Sequence, residues 1–259
     1  MWGADLDLPL STGHGEFPRA ILAPGSPEEC FHLTRKALDV TERYQTPVII
    51  LSDQYLADSI RSVPRFDFDA LSEPGMPGDT VEDPKGYQRF TWTETGVSPR
   101  LIPGAGPSLV VADSDEHTPD GHITEDHQVR VRMVNKRLKK MEGLMQEVVP
   151  PDYQGDEQPD LLLLTWGSSR GAALEAAETL RSRRQSVATL SFSQVWPLDP
   201  GQFEEHLHQA GSVAAVEGNA TGQFARLIRR ETGFEAQRKV LRYDGLPLTC
   251  AEILRQLST

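Results

Sequence analysis

The sequence predicts an α/β protein of two successive units, the second a doubly wound sheet of parallel strands with helices on both faces. Three observations carry this expectation. Short apolar runs alternate with amphipathic stretches from Arg19 to about Ile60 and again from Leu161 to Tyr243. An aperiodic stretch rich in Pro, Gly, Asp and Ser lies between them, from Arg61 to Asp126. Val149-Pro150-Pro151-Asp152-Tyr153-Gln154-Gly155-Asp156 then has the composition of a linker, which puts the boundary near residue 150 and divides the chain into 1–150 and 151–259. A chain of 259 residues is long enough for two ordinary domains.

Arg19-Ala20-Ile21-Leu22-Ala23 reads as a buried strand stopped by Pro24-Gly25. Ser26 is a good N-cap, Pro27 suits the first helical position and Glu29 completes a capping box. Cys30, Leu33, Ala37, Val40 and Tyr44 recur on one face of the helix that follows, up to Pro47. Val48-Ile49-Ile50-Leu51 is expected as a second buried strand, with Ser52 or Asp53 capping a further helix, so that residues 19–60 form a βαβ unit of a parallel sheet.

Within the irregular stretch, which includes Glu73-Pro74-Gly75-Met76-Pro77-Gly78 and Ile102-Pro103-Gly104-Ala105-Gly106-Pro107, Leu109-Val110-Val111-Ala112 alone has the pattern of a strand. So long an excursion is expected to be ordered surface, functional or set against a partner. Val131, Val134, Leu138, Met141 and Met145 form an apolar helical stripe within Val129 to Met145, with Arg130, Arg132, Lys136, Arg137, Lys139 and Lys140 around it. In an acidic chain these bases point to a solvated face or an acidic protein partner rather than nucleic acid. The second unit reads as strand 161–165, loop and helix 167–183, strand 187–192, helix 200–209, strand 213–216, helix 221–231 and strand 240–243.

Composition bounds the function. Lys+Arg 26 against Asp+Glu 38 gives a formal net charge of −12, which repels a phosphate backbone, so no nucleic-acid partner is expected. The longest apolar runs, four residues at Val48 and four at Leu161, are far from the roughly 20 that a membrane span requires. No membrane partner is expected, and the acidic start Ala4-Asp5-Leu6-Asp7 is unlike a secretory signal, so the expected location is cytoplasmic. Cys30 and Cys250 lack the spacing for an iron–sulfur or zinc site held by this chain. With no secretory route, the sequon at Asn219-Ala220-Thr221 has no meaning.

Four constellations bear on chemistry. Trp166-Gly167-Ser168-Ser169-Arg170-Gly171 follows a strand and opens a helix, but Ser169 replaces the second glycine of a dinucleotide fingerprint, so a tight strand-to-helix turn is favoured over a bound phosphate. Glu217-Gly218-Asn219-Ala220-Thr221-Gly222-Gln223 sits at another strand-to-helix crossover. Capping accounts for Asn219 and Thr221, leaving Glu217 and Gln223 for a ligand or partner interface that also includes Asn219. Asp113, Asp115, Glu116, His117, Asp120, His122, Glu125, Asp126 and His127 crowd one loop, yet a calcium loop counted from Asp113 would have Thr118 and Thr124 where glycine and glutamate belong, so loop hydrogen bonding is favoured over a metal. His14 offers an imidazole beside Glu16 ahead of the first strand.

Gly13-His14-Gly15-Glu16-Phe17-Pro18-Arg19, Tyr44-Gln45-Thr46-Pro47 running on to Leu56, Gly96-Val97-Ser98-Pro99-Arg100 with Pro103-Gly104, Asp115-Glu116-His117 with Gly121 to Asp126, Met133 to Lys136 with Lys139, Glu217 with Asn219 and Thr221 to Ala225, and Tyr243-Asp244-Gly245 with Pro247 together resemble the alpha subunit of 2-oxoacid:ferredoxin oxidoreductases, most of all the 2-oxoglutarate branch. The resemblance implies a partial thiamine-pyrimidine-type parallel α/β domain followed by a transketolase-C-terminal-like doubly wound domain. It implies oxidative decarboxylation of a 2-oxoacid to an acyl-CoA, with ferredoxin and CoA as partners of the complex. Thiamine diphosphate, Mg and an iron–sulfur cluster would be held mainly by a partner beta subunit. The family's gamma-like domain, cofactor-activating glutamate and 2-oxoacid-contacting motif would lie upstream of Met1, so this portion is expected to be inactive when isolated. His14 and Arg100 are the residues the resemblance offers for lining the site. An alternative is a non-catalytic docking protein on the same α/β layers.

Overall fold

In the computed structural model, which describes residues 6–69, 71, 86–102, 104 and 106–258, the first unit begins with α1 (Asp7–Ser11), a single helical turn ahead of β1 (Ala20–Leu22). Arg19 ties the two together: its buried guanidinium donates to the carbonyls of Pro9 (2.8 Å) and Thr12 (2.5 Å) and lies 4.2 Å from the Phe17 ring centre. β1 is buried throughout because Ala20-Ile21-Leu22 is apolar on both faces.

α2 (Pro27–Tyr44) starts as expected. Ser26 Oγ accepts from Glu29 N at 3.2 Å, and Glu29 Oε2 accepts from Gly25 N at 2.6 Å, a capping box reaching one residue further back than usual. Leu33, Ala37 and Val40 are its buried face, and Gln45 ends it in a left-handed conformation at φ +48°. β2 (Val48–Ile50) pairs in parallel with β1, Ala20 opposite Val48 and Leu22 opposite Ile50. It is not the buried strand expected: among the described residues it is hydrogen-bonded on one side only, and Ile50 is 38% exposed. The apolar pattern of an interior strand has here an edge position. Asp53 caps α3 (Gln54–Asp58), accepting from Leu56 N at 2.9 Å.

Glu73 to Gly78 lies outside the described residues. Leu109 to Ala112 forms no strand, and Leu109 is 83% exposed; among the described residues the backbone hydrogen bond beside the segment is that of its neighbour Asp113, whose N–H donates to Gly121 O at 3.0 Å. The hydrogen-bonded loop expected for 113–126 is present: Thr118 N donates to His122 O, Thr124 N to Glu116 O and Ile123 N to Asp113 Oδ2, each within 3.0 Å.

Asp126 caps α4 (His127–Met145) by accepting from Gln128 N and Val129 N. Of the apolar stripe, Val134, Met141 and Met145 are half-buried, while Val131, 59% exposed, and Leu138 are turned outward. Met133 and Leu144 are the buried residues, and the half-buried Lys136, Arg137 and Lys140 lie between them. Periodicity located the helix, and basic side chains share its inner side because they find acceptors on the rest of the chain: Arg137 on Glu116 and Lys140 on the Gln45 carbonyl. At Gly143 a Cβ would fall 2.3 Å from Tyr44 Cε1, so α2 and α4 touch where glycine permits it.

The expected linker contains a strand. β3 (Asp152–Gln154) runs antiparallel to β5 (Val187–Phe192), whose other neighbour is β4 (Leu161–Trp166). β4 leads into α5 (Ser169–Ser182), and after β5 comes a strand not foreseen, β6 (Gln194–Trp196), which crosses to the first unit and pairs antiparallel with β1, Ile21 opposite Trp196. A short 3-10 turn, Pro200–Gln202, and α6 (Glu204–Gln209) precede β7 (Val213–Glu217), α7 (Gln223–Thr232), β8 (Arg238–Leu241) and α8 (Cys250–Leu257), the last also unforeseen.

The strand orders are β2-β1-β6 and β3-β5-β4-β7-β8. The second sheet is doubly wound as predicted, parallel except for β3. Leu162, Leu163 and Leu164 in its central strand are fully buried, each worth about 1.5–3 kcal/mol relative to exposure. Leu162 and Leu164 join Ile21, Phe192, Phe203 and Phe224 in one core; Leu163 joins Ala176, Ala177, Val240 and Ile253 in the other.

Candidate functional site

In the second sheet β4 is followed through α5 by β5 on one side, and the chain then crosses to β7 on the other. The carboxyl ends of β4 and β7 therefore splay their loops in opposite directions, the position where open α/β sheets bind ligands. A cavity of about 130 Å³ lies there. Trp166 to Ser169 and Gly218 form its second-unit wall, Pro24 and Leu51 to Asp53 its first-unit wall, and Leu246 to Leu248 its rim.

Two contacts lock this junction. Ser168 Oγ donates a short hydrogen bond to Asp53 Oδ2, while the other oxygen of Asp53 caps α3. Gly25 packs so closely on the β4–α5 turn that a Cβ there would lie 2.4 Å from Gly167 O. Arg170, beside it, reaches Asp152 Oδ2 at 2.8 Å and faces Glu29 at 3.8 Å. The Gly167-Ser168-Ser169 segment is thus a tight strand-to-helix turn, as its sequence predicts, with Gly167 at φ +56°. Among the described residues no histidine lines the cavity, and the carboxylate that Ser168 meets, Asp53, is also the cap of α3.

Under the pocket floor Glu217, 1% exposed, accepts from Phe224 N and Ala225 N at 2.9 Å each, from Asn219 Nδ2 at 2.8 Å and from Trp166 Nε1 at 3.3 Å. Asn219 Oδ1 accepts from the N–H groups of Thr221, Gly222 and Gln223. Gln223 Oε1 accepts from Leu6 N at 3.0 Å. The first turn of α7 is therefore satisfied from inside the sheet by a carboxylate, and capping accounts for Glu217 after all.

A second polar centre joins α4 to the loop before it. Glu116 is 7% exposed and accepts from both arms of Arg137 (3.0 and 2.9 Å) and from Arg130 (3.2 Å). Burial pushes its carboxyl up, but the Arg137 hydrogen bonds and the two guanidinium charges outweigh that and hold it below the ordinary carboxylate value of 4.5. A depressed folded value means that the stability from this group is fully present above about pH 4.5 and is lost as pH falls through the folded value. Glu116→Gln should therefore cost about 1–2 kcal/mol at pH 7 and less at pH 3. Urea midpoints of both proteins at the two pH values test this; an equal cost at both would show that charge has no part in it.

Residues 1–136 match the family described as "Pyruvate flavodoxin/ferredoxin oxidoreductase, thiamine diP-bdg", and residues 154–244 match "Transketolase, C-terminal domain". The chain is 36% identical over 259 residues to 2-oxoacid:ferredoxin oxidoreductase 1, subunit alpha, of Aeropyrum pernix, covering 97% of this chain and 40% of that protein. It is 31% identical to the 2-oxoglutarate oxidoreductase subunit KorA of Mycobacterium tuberculosis, covering 97% of this chain and 38% of that one. The 2-oxoglutarate:ferredoxin oxidoreductase of Magnetococcus marinus, solved with 2-oxoglutarate, coenzyme A and succinyl-CoA bound, superimposes at a TM-score of 0.88 and 27% identity over 98% of this chain and 44% of that one. The chain belongs to the 2-oxoacid:ferredoxin oxidoreductase alpha-subunit family. It spans about two fifths of the length of the curated relatives it matches.

Within this oxidoreductase alpha-subunit fold, His14 stands exposed on the loop before β1, whose Gly15 lies against Arg130 of α4. Arg100 is ion-paired with Glu42 of α2. Neither lines the junction cavity, and no contact joins them among the described residues. Glu217, Asn219 and Gln223, read as interface, are brought together beneath the cavity and spend their polar groups inside the chain. The Asp53–Ser168 and Gly25–Gly167 contacts were not foreseen. The residues themselves were visible as a cap and a turn, but nothing in one-dimensional order says that the two loops meet.

Thiamine diphosphate, which the family implies, needs a metal-anchored diphosphate and a carboxylate against its pyrimidine. The described residues include no group of three His, Cys, Asp or Glu placed to hold a metal, and the carboxylates at the two sheet ends, Asp53 and Glu217, are committed to capping. The described residues do not fit the whole cofactor.

Proposed function

We propose that this chain serves as a portion of the alpha subunit of a thiamine-diphosphate-dependent 2-oxoacid:ferredoxin oxidoreductase, with 2-oxoglutarate as the 2-oxoacid and succinyl-CoA as the product. The observation that carries the reading is the superposition of nearly the whole chain, both units in one arrangement, on the Magnetococcus marinus 2-oxoglutarate enzyme. The beta subunit holds the diphosphate, Mg and the iron–sulfur cluster and delivers electrons to ferredoxin. The chain's own part is to form a wall of the active-site region through its first unit, with His14 and Arg100 as the candidates facing it, and to brace that wall with the second.

By this reading the chain mixed with a beta subunit reduces no viologen with 2-oxoglutarate and CoA, because the carboxylates at its two sheet ends, Asp53 and Glu217, are engaged in capping. Supplying the remainder of an alpha subunit restores reduction. Activity without that remainder would overturn the division of labour proposed, and stable beta-subunit binding with no thiamine dependence in any combination would favour the docking protein instead.

A further inference from the structure

The inner face of α4 carries more positive charge than the described residues around it neutralise. Lys136 and Lys140 are one turn apart and half-buried, and the half-buried Arg89 comes to them from the preceding loop. The Arg89 guanidinium lies 5.0 Å and Lys136 Nζ 5.9 Å from the centre of the same Phe90 ring, so both cations stand over one aromatic residue. Lys140 Nζ donates to Gln45 O at 2.8 Å, a neutral acceptor. The loop is pressed onto this face: a Cβ on Gly96 would be 2.2 Å from Lys136 O and 3.2 Å from Lys140 Cγ.

The nearby carboxylates are already taken, Glu116 by Arg130 and Arg137 and Glu42 by Arg100. Among the described residues, none forms an ion pair with Arg89, Lys136 or Lys140. Burial, with the repulsion of neighbouring cations behind it, lowers both lysines from 10.5 to about 8. Three partly desolvated cations at one place make a positive potential that an anion would offset.

We propose that Arg89, Lys136 and Lys140 form a binding site for the phosphate group of a phosphorylated small molecule. A dianion matches this set better than a single carboxylate does: the flat guanidinium fork pairs with two oxygens, and each ammonium supplies a point charge to a third. The site is separate from the junction cavity, none of whose lining residues it shares.

Calorimetric titration of the full chain with inorganic pyrophosphate at pH 7 and low salt tests it. Saturable one-to-one binding is expected, weakened at least tenfold in Arg89→Leu, Lys136→Met and Lys140→Met. Lys139→Met, which removes an exposed lysine paired with Glu142, is expected to leave it unchanged. Coenzyme A in place of pyrophosphate distinguishes the sources: tighter binding of the coenzyme marks an organic phosphate ester as the occupant, and equal binding marks a free inorganic one.

Thermal melts guard against misfolding. Without ligand, Lys136→Met should melt no lower than the parent chain, since it removes like-charge repulsion. Pyrophosphate should raise the melting point of the parent and not that of the variant. Absence of pyrophosphate binding, binding indifferent to all three substitutions, preference for 2-oxoglutarate over pyrophosphate, or a lower unliganded melting point in Lys136→Met would each overturn the proposal.

Discussion

Glu217→Ala should lower the stability of the chain by about 3–5 kcal/mol, the largest effect expected of any single substitution here. The carboxylate is fully buried and takes four donors, two of them backbone N–H groups that begin α7 and have no other acceptor within that helix. Alanine removes the acceptor and leaves all four without water in reach. Glu217→Gln keeps the shape and one carbonyl oxygen but turns an NH₂ toward N–H donors, so it should cost about half as much. Urea denaturation reads both: the midpoint should fall with little change in slope. A loss under about 1 kcal/mol for the alanine variant would mean that the turn rebuilds itself around Asn219, whose side chain caps the same segment.

The second large effect is at the unit junction. Gly25→Ala puts a methyl group 2.4 Å from Gly167 O and 3.1 Å from Arg170 Cβ, against backbone that cannot swing aside. The β4–α5 turn must back away, at about 1–3 kcal/mol, and with it Ser168 moves off Asp53. Hydrogen exchange should therefore quicken at Leu56, whose N–H Asp53 caps, and at Gly167, whose N–H bonds Phe192 O. Gly171→Ala is the control, since nothing lies within 4 Å of its Cβ position and it sits inside α5, where alanine should add roughly 0.5–1 kcal/mol. Equal destabilisation of the two variants would count against the junction argument.

What could be read in advance followed local chemistry. Ser26, Pro27 and Glu29 announced α2, and the runs at Ile21, Ile49, Leu163 and Leu190 announced strands, because caps and apolar runs act over a few residues. The failures share a different cause. β3 and β6 are three-residue strands whose sequences, Asp152-Tyr153-Gln154 and Gln194-Val195-Trp196, carry no apolar run; they are strands because β5 and β1 offer them open edges. α4 buries only part of its apolar stripe, because the tertiary position of Glu116 draws Arg137 to the side that faces the chain. The junction cavity was half legible. Its turn residues stood out, but the meeting of Asp53 with Ser168 is a fact of topology.

The pairing of β1 with β6 also orders events in time. As the chain emerges from the ribosome, β1 can pair with β2 at once, since Val48 follows Ala20 closely. Its other edge must wait for Trp196, by which point β4 and β5 have already been made. The amino-terminal sheet is therefore started first and closed late. A nascent chain halted before Gln194 would carry an open strand edge among apolar residues, the kind of surface that invites chaperone capture or pairing with another copy.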